Sequence, residues 1–255
     1  MSDNFNEITE VPGLQASVEQ LQRLYQRYRF AVENTEGPVL EAACGSGIGL
    51  GYLAEKLGRA DGCDIDKENL RIASELHRDN ESVEVFEFDA CRLREIDKEY
   101  GLIILYEAVY YLDDIESFIY GAMEKLKKGG WLIICSVNPE WKDFHPSPYA
   151  RRYYTAAELA AFAGKYFSTV ETYGAFPSAP AGAKDRAFSV LKRGATKMNL
   201  IPGSLRLRTY LKRIFMGELK PIPEAVTDNM IDYEPPVPYI GGDEYKIIYM
   251  AAQKD

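Results

Sequence analysis

Two short apolar runs constrain the fold of this chain more than any other feature. They are Leu102–Leu105, which reads LIIL, and Leu132–Ile134, which reads LII, and neither alternates apolar with polar side chains. A strand of this kind is usually buried on both faces, as central strands are in a parallel sheet that helices cover on both sides. The two runs therefore predict an α/β fold.

The surrounding sequence alternates strand-like and helix-like segments. Strands are predicted at Pro38–Ala43, Ala60–Asp64, Val83–Phe88, Leu102–Tyr106, Trp131–Val137, Thr169–Tyr173 and Glu244–Ala252, and helices at Leu50–Leu57, Lys67–His77 and Asp114–Lys127. Strands that alternate with helices form right-handed βαβ units. We therefore predict a Rossmann-like, doubly wound sheet of about seven strands whose last strand is antiparallel.

Two further helices flank this core. One is predicted at Val18–Asn34, where it packs against the edge of the sheet or covers it. The other spans Tyr154–Phe167 and begins with a capping box formed by Thr155 and Glu158. The core is therefore expected to carry helical additions at both ends.

The chain divides into four predicted regions. They are an N-terminal helical cap at 1–37, a Rossmann-like core at 38–174, an insertion at 175–243 that covers the substrate site, and the final strand of the core at 244–255. The insertion is rich in proline and contains a predicted helix at Ser204–Phe215. This basic, amphipathic helix covers the substrate cleft, contacts a phosphate or membrane surface, or is simply a packed helix.

Composition excludes several classes of protein. The net charge is −9, which argues against nucleic acid as a partner. No apolar stretch reaches the length that spans a bilayer, so no stable membrane insertion is expected. The first residues are polar and acidic, unlike a secretory signal.

The four cysteines favour a reducing compartment. They are scattered through apolar surroundings and follow neither a zinc-binding spacing nor a disulfide framework. They are Cys44, Cys63, Cys91 and Cys135. We predict that they are reduced core residues of a cytoplasmic protein without a metal site.

A glycine-rich turn follows the first predicted strand of the core. The stretch reads EAACGSGIGLGYLA over 41–54. A dinucleotide fingerprint requires glycines at its first, third and sixth positions, but the sixth position is Leu50 when counted from Gly45 and Tyr52 when counted from Gly47. A P-loop is excluded because no Gly-Lys-Ser/Thr follows. An NAD(P)-dependent oxidoreductase is therefore a weaker alternative.

An acidic residue downstream fits a ribose. Asp64 lies 17 residues after Gly47, near the offset of about 20 residues that brings a carboxylate beside a bound ribose in a βαβ unit. The glycines allow a ligand to approach the backbone, and the N–H groups at the helix start attract an anion. The structural alternative is a plain strand-to-helix turn with a surface acid.

Taken in order, these motifs resemble those of the class I S-adenosylmethionine-dependent methyltransferases. The matching segments are VLEAACGSGIG, GCDID, FDA, YGLIILYEAVYYL and LKKGGWLII, and they cover about residues 38–137. The chain departs from the family pattern at Lys128, where many relatives have proline, and at Asp66, where many have serine.

The resemblance implies a cofactor and the residues that bind it. The cofactor is S-adenosyl-L-methionine and the product S-adenosyl-L-homocysteine. The glycine turn approaches the methionine end, Asp64 binds the ribose hydroxyls, Ile65 packs on the adenine and Asp89 meets its amino group. The implied set is Glu41, Ala43, Gly45, Gly47, Gly49, Asp64, Ile65, Asp89, Ala90, Tyr106 and Glu107.

Two loops carry the candidate acceptor and catalytic residues. Tyr110 and Tyr111 follow the fourth strand and are candidates for a wall of the acceptor site. In the loop after the fifth strand, His145 and Asp143 are rival general bases, and Arg151 or Arg152 is a candidate for orienting an anionic substrate. The alternative is a solvated loop without a catalytic role.

These observations predict a methyltransferase that acts on oxygen or nitrogen of a small molecule. The acceptor favoured first is a sugar or glycoconjugate, because the tyrosine-rich segments suit stacking on a ring and EAVYYL is similar to a loop of sugar-modifying relatives. A natural product or other metabolite is the alternative acceptor. A noncatalytic S-adenosylmethionine-binding protein is an alternative of another class, since fold alone does not define activity.

Overall fold

Strands and helices alternate along the chain in the computed structural model, which describes residues 9–179, 219–228 and 232–255. The strands are β1 (Gln15–Ser17), β2 (Val39–Ala42), β3 (Ala60–Asp64), β4 (Val83–Glu87), β5 (Tyr100–Tyr106), β6 (Leu126–Val137), β7 (Thr169–Pro177), β8 (Leu219–Pro221), β9 (Val237–Pro238) and β10 (Tyr245–Gln253). The helices are α1 (Val18–Asn34), α2 (Leu50–Leu57), α3 (Lys67–Leu76), α4 (Ile115–Lys125) and α5 (Ala156–Ala163). Short 3-10 helices span Ala90–Glu95 and Val109–Tyr111.

The central sheet has the order β4-β3-β2-β5-β6-β10-β7-β9. Its first five strands are parallel, and β10 runs antiparallel to both β6 and β7. The predicted Rossmann-like α/β fold with an antiparallel last strand is confirmed. Within the described residues the sheet has eight strands rather than seven, because Val237 and Pro238 pair with Gly174 and Tyr173 at the edge.

The two apolar runs are buried on both faces of the sheet, as predicted. Ile103 and Leu105 contribute to the core on the side that also contains Phe118 of α4, whereas Leu102 and Ile104 contribute to the core on the opposite side. All four side chains of the first run have no exposed surface. Helices therefore cover both faces, which leaves the strand ends as the places where side chains meet a ligand.

Several element boundaries agree with the sequence patterns. The bounds of α1, α2 and β3 are those predicted, and α5 begins with the predicted capping box of Thr155 and Glu158. β6 begins at Leu126 rather than Trp131, because Leu126 pairs with Tyr100 across a register shift. Gly129 and Gly130 lie inside this extension, which the sequence did not indicate because glycine is uncommon inside strands.

Helix α1 lies across a face of the sheet and not only at its edge. Its side chains Leu24 and Tyr28 are almost fully buried in the core on that face. The Tyr28 hydroxyl donates a hydrogen bond of 2.7 Å to Glu41 in β2, and the Tyr106 hydroxyl of β5 donates one of 2.8 Å to the Arg27 carbonyl. These bonds join the helix to the carboxyl ends of two central strands.

Some predictions fall on other parts of the chain. The predicted helix at Ser204–Phe215 and most of the insertion at 175–243 lie outside the described residues, so the division into regions stays a prediction. All four cysteines are free thiols, and Cys91 is half-buried rather than in the core. In the described ranges, no helix combines the length and apolarity that a membrane span requires.

Gly49 lies where a side chain would collide with α1. A Cβ at this position would come within 2.0 Å of the Tyr28 ring. We expect Gly49→Ala to lower the free energy of unfolding by about 1 to 3 kcal/mol, the usual cost of overpacking, as measured by urea denaturation.

Gly51→Ala is the matched control, because it lies inside α2 and its added Cβ would meet His77 at an ordinary 3.4 Å. We expect this variant to be more stable than the wild type by about 0.5 to 1 kcal/mol, since alanine favours a helix over glycine. Equal effects of the two substitutions would contradict the close packing of Tyr28 on the turn.

Candidate functional site

A cavity of about 630 Å³ opens at the carboxyl ends of the central parallel strands, beside α1. Glu41 and Ala43 line it from the end of β2, Asp64 from the end of β3, and Tyr106 and Glu107 from the end of β5. Open α/β sheets bind their ligands at this edge, near the point where the strand order reverses. The cavity therefore lies where the fold class favours a ligand.

The backbone is strained at two of these strand ends. Ala43 and Glu107 have φ values of 54° and 52°, in the left-handed region that few residues other than glycine adopt. Each follows a strand directly, and each lines the cavity. Strain of this kind costs about 1 to 3 kcal/mol and clusters at functional sites, so it supports a binding role for this edge.

The three glycines of the turn have different surroundings. Gly45 has a φ of 54° and lines the cavity. Gly47 has a φ of 70°, and a Cβ there would lie 2.9 Å from the Cβ of Ala73 in α3. Gly47 and Gly49 do not line the cavity, so their close approaches explain packing, and their contact with a cofactor stays a prediction.

Asp64 joins the end of β3 to the glycine turn. Its Oδ2 accepts a hydrogen bond of 2.9 Å from the Gly45 N–H, and its Oδ1 accepts one of 2.8 Å from the Asp66 N–H. Burial raises the pKa of Asp64, and these backbone donors act in the opposite direction. Because a carboxylate oxygen can accept more than one hydrogen bond, Asp64 retains capacity for ligand hydroxyls.

A more open part of the cavity lies beside the ends of β3 and β4. Ile65 is 56% exposed there, although it is apolar. Asp89 accepts a hydrogen bond of 2.8 Å from the Cys91 N–H and thereby caps the 3-10 helix that starts at Ala90. An exposed apolar side chain with a carboxylate beside it suits a flat, polar ring such as a nucleobase.

Most of the predicted cofactor residues come together around this cavity. Those that line it are Glu41, Ala43, Gly45, Asp64, Ile65, Asp89, Ala90, Tyr106 and Glu107. They derive from four segments that are far apart in the sequence. The fold therefore brings together the residues that the resemblance grouped only by motif.

Glu41 is a buried acid with unused hydrogen-bonding capacity. It is 2% exposed, and its Oε1 accepts the bond from Tyr28, but its Oε2 has no hydrogen-bond partner within the described parts of the chain. Burial raises the pKa of Glu41 to about 7, although Tyr28 and Arg27 lower it. A buried acceptor of this kind suits a cationic donor from a ligand, so the site fits the ammonium group of a methionine moiety.

The sequence did not indicate that residues of the N-terminal region line the cavity. Gln20, Arg23 and Arg27 line the cavity from one side of α1, together with Thr9 and Glu10 ahead of it. The helical spacing of the first three residues is visible in the sequence, but it does not reveal which part of the sheet that side faces. Their contribution depends on the docking of α1, a long-range contact.

Aromatic residues that follow β5 form another part of the cavity lining. Tyr110 and Tyr111 line the cavity with ring centroids 4.5 Å apart, and Arg151 lines it while pairing with Asp113 at 2.7 Å. The Tyr110 hydroxyl donates a hydrogen bond of 3.0 Å to Glu107. Burial raises the pKa of Glu107, while Arg27 and Arg23 lower it. These residues suit an acceptor with a ring or an anionic group.

Three predicted catalytic or substrate-binding residues do not line the cavity. His145 is exposed, and neither it nor Asp143 is among the lining residues. Arg152 pairs with Glu158 at 2.7 Å, and its guanidinium lies 4.9 Å from the centre of the Tyr154 ring. The catalytic roles of His145 and Asp143 and the substrate role of Arg152 stay predictions.

Comparison with known proteins identifies the central segment. Residues 40–134 match a family described as a methyltransferase domain. A ubiquinone biosynthesis O-methyltransferase of Hydrogenovibrio crunogenus is 26% identical over 108 residues, which are 42% of this chain and 45% of that protein. The mitochondrial ubiquinone biosynthesis O-methyltransferase of Homo sapiens is 31% identical over 110 residues, 39% of this chain and 28% of that protein.

Solved structures share the fold over almost the whole chain. A possible histamine N-methyltransferase of Thermotoga maritima has a TM-score of 0.54 and 17% identity, with coverage of 93% of this chain and 96% of that one. Phosphoethanolamine N-methyltransferase 2 of Haemonchus contortus, solved with S-adenosyl-L-methionine, has a TM-score of 0.55 and 17% identity, with coverage of 93% and 52%. At such identities the likeness concerns the fold alone.

The family match and the shared fold agree on the central domain. Residues 40–134 are a methyltransferase domain, and the fold around them is one that solved S-adenosylmethionine-dependent methyltransferases share. The matched part spans less than half the length of each relative named above. The acceptor and the activity of the whole protein therefore do not follow from these relatives.

The raised pKa of Glu41 predicts a pH-dependent stability. An ordinary glutamate in the unfolded chain loses its proton near pH 4.5, whereas folded Glu41 keeps it until about pH 7. Stability is therefore lost as the pH rises through this window. The Glu41→Gln variant has no ionisable group at this position. As the pH rises from 4.5 to 8, we expect its free energy of unfolding to increase by about 3 kcal/mol relative to that of the wild type, as measured by urea denaturation. A constant difference across this range would contradict the buried, neutral state of Glu41.

Proposed function

We propose that this protein transfers a methyl group from S-adenosyl-L-methionine to oxygen or nitrogen of a small-molecule acceptor. One observation carries the proposal: the cavity gathers acidic residues from the ends of separate strands in the order that the parts of this cofactor require. Glu41, Asp64 and Asp89 lie at the ends of three successive strands of the sheet. Each matches a different polar part of one ligand.

The charge of the lining supports this cofactor. When bound, S-adenosylmethionine supplies an electrophilic methyl group on a positively charged sulfur. Glu41 supplies a hydrogen-bond acceptor for the ammonium group, Asp64 one for the ribose hydroxyls, and Asp89 one for the adenine amino group. Ile65 supplies apolar surface for the flat face of the base. Carboxylates are the strong acceptors that such donors require.

A sugar or glycoconjugate is the acceptor that we propose first. Tyr110, Tyr111 and Tyr149 line the cavity, and Arg151 and Asp113 supply polar groups to the same lining. Aromatic faces with adjacent hydrogen-bonding groups suit a polar ring. The names of the ubiquinone biosynthesis O-methyltransferase relatives favour a second candidate, an oxygen atom of a natural product or other metabolite.

Two other classes of protein are alternatives to a methyltransferase. An NAD(P)-dependent oxidoreductase is disfavoured by the match of 40–134 to a methyltransferase domain and by the glycine spacing. A noncatalytic protein of the same fold would bind the cofactor without transferring its methyl group. The proposed cytoplasmic location rests on the pattern of cysteines alone.

Glu107 is a better-supported proton acceptor than the loop residues. Glu107 lines the cavity, and burial raises its pKa toward neutral pH. Its carboxylate accepts a hydrogen bond from the Tyr110 hydroxyl. A general base must reach the proton that it removes, and exposed His145 lies off the cavity lining. We propose Glu107 as the base, with His145 or Asp143 as the rival assignment from the sequence.

Cofactor binding is tested with Asp89→Asn. Asparagine keeps an oxygen for the Cys91 N–H and therefore keeps the cap, but it replaces an acceptor facing the ligand by an NH₂ group. We expect calorimetric titration with S-adenosylhomocysteine to show a loss of about 1 to 3 kcal/mol in binding free energy at an unchanged melting temperature. Asp114→Asn is the control, because Asp114 caps α4 in the same way and does not line the cavity. Equal affinities of wild type and Asp89→Asn would refute the role of Asp89.

Catalysis is tested by transfer of a labelled methyl group to a panel of sugars, sugar nucleotides, phenols and small amines. With any acceptor that reacts, we expect Glu107→Gln to lower turnover by at least about a hundredfold and His145→Ala to change it by less than about threefold. The reverse order would transfer the role of base to His145. Cofactor binding without transfer to any member of the panel would favour the noncatalytic alternative.

A further inference from the structure

Arg27 is a buried cation at the cavity that no motif of the core predicts. It is 7% exposed and lines the cavity from α1. Its Nη2 forms an ion pair with Glu10, but its Nε–H has no hydrogen-bond partner in the described residues. A buried guanidinium with an unsatisfied donor is costly, so this residue has capacity for a further acceptor.

The neighbours of Arg27 define what kind of ligand would use that capacity. Its guanidinium carbon lies 5.4 Å from the centre of the Tyr28 ring and 6.0 Å from that of Tyr106. Glu41, which accepts a hydrogen bond from the Tyr28 hydroxyl, also lines the cavity, and its Oε2 has no hydrogen-bond partner in the described residues. Two buried groups, a guanidinium and a carboxyl, each with one unused polar atom, therefore lie around one aromatic pair. They are complementary to an ammonium and a carboxylate held close together, as in an α-amino acid.

The present counter-ion of Arg27 belongs to a segment that lies on the glycine turn. The Ser46 hydroxyl donates a hydrogen bond of 2.6 Å to the Glu10 carbonyl. The Thr9 methyl group fills the space next to Gly45, 2.9 Å from where a Cβ would be. The side chain of Glu10 is 34% exposed, so it is less deeply held than the guanidinium that it contacts. The segment Thr9–Glu10 thus brings a carboxylate to Arg27 next to the turn.

We propose that Arg27 binds the α-carboxylate of the methionine moiety, and that Glu10 is the ion-pair partner of Arg27 until this carboxylate replaces Glu10. The inference rests on the proposed function and adds a binding residue and an exchange partner to it. One carboxylate leaves as another arrives, so the buried cation is never without a counter-ion. Such an exchange avoids the large penalty of an unpaired buried charge.

Arg23 is the rival residue on the same helix. It also lines the cavity and its Nε is likewise unpartnered within the described residues. However, its side chain is 24% exposed compared with 8% for Arg27, and it pairs with Glu19 on its own helix. Arg27 is the more deeply buried of the two and shares the aromatic pair with Glu41, so the geometry favours it.

The test uses two ligands that differ only in the carboxylate, S-adenosylmethionine and decarboxylated S-adenosylmethionine. Both are titrated calorimetrically into the wild type, Arg27→Met and Arg23→Met. We expect the wild type to prefer the carboxylated ligand by about tenfold to a hundredfold. Arg27→Met should lose this preference while keeping its affinity for the decarboxylated ligand, and Arg23→Met should keep the preference. An unchanged preference in Arg27→Met, or its loss in Arg23→Met instead, would overturn the assignment.

Glu10→Gln provides a second test that does not disturb the buried guanidinium itself. If Glu10 is exchanged for the ligand, this variant should bind S-adenosylmethionine about threefold to tenfold more tightly, at an unchanged affinity for the decarboxylated ligand. Its melting temperature should fall, because an ion pair is lost. Weaker binding of S-adenosylmethionine would overturn the exchange. Failure of both ligands to bind the wild type would refute the proposed function as well, whereas a failure confined to the variants would refute this inference alone.

Discussion

The hydrogen bond between Tyr28 and Glu41 is the contact on which the rest of the site depends. It joins α1, the helix that precedes the sheet, to the strand that leads into the glycine turn. The buried Tyr28 ring leaves no space for a side chain at Gly49, and it brings Arg27 beside the turn. A helix docked in this way turns an open strand edge into a cavity with a closed side. The shape of the cavity therefore depends on a residue outside the matched domain at 40–134.

The balance of charge around the cavity follows from this docking. The strand ends contribute carboxylates, and α1 contributes the guanidinium groups that face them. Arg27 lowers the pKa of both Glu41 and Glu107, although burial of each carboxyl has the larger, opposite effect. A cofactor that carries a sulfonium, an ammonium and a carboxylate matches both signs of charge in such a lining. Neither the strands nor the helix would supply this combination alone.

The fold and much of the site were predictable from the sequence, because they depend on local patterns. Runs of buried strand residues, helical spacing and the capping box at Thr155 indicated most elements, and the motifs that resemble a known family indicated most of the lining. Long-range contacts were not predictable. The edge pairing of Val237 with Gly174, the position of α1 across the sheet and the approach of Glu10 to Arg27 each join segments that have no common pattern. The exposure of His145 was not predictable either, because the sequence does not show which way a loop after a central strand turns its side chains.

A crystal structure of the protein with S-adenosylhomocysteine would test the central claim most directly. The account predicts that the homocysteine moiety lies between Glu41 and Gly45, that the ribose hydroxyls donate hydrogen bonds to Asp64, and that the adenine lies between Ile65 and Asp89. A ligand bound outside this cavity, or one in the reverse direction with its adenine at Glu41, would contradict the account.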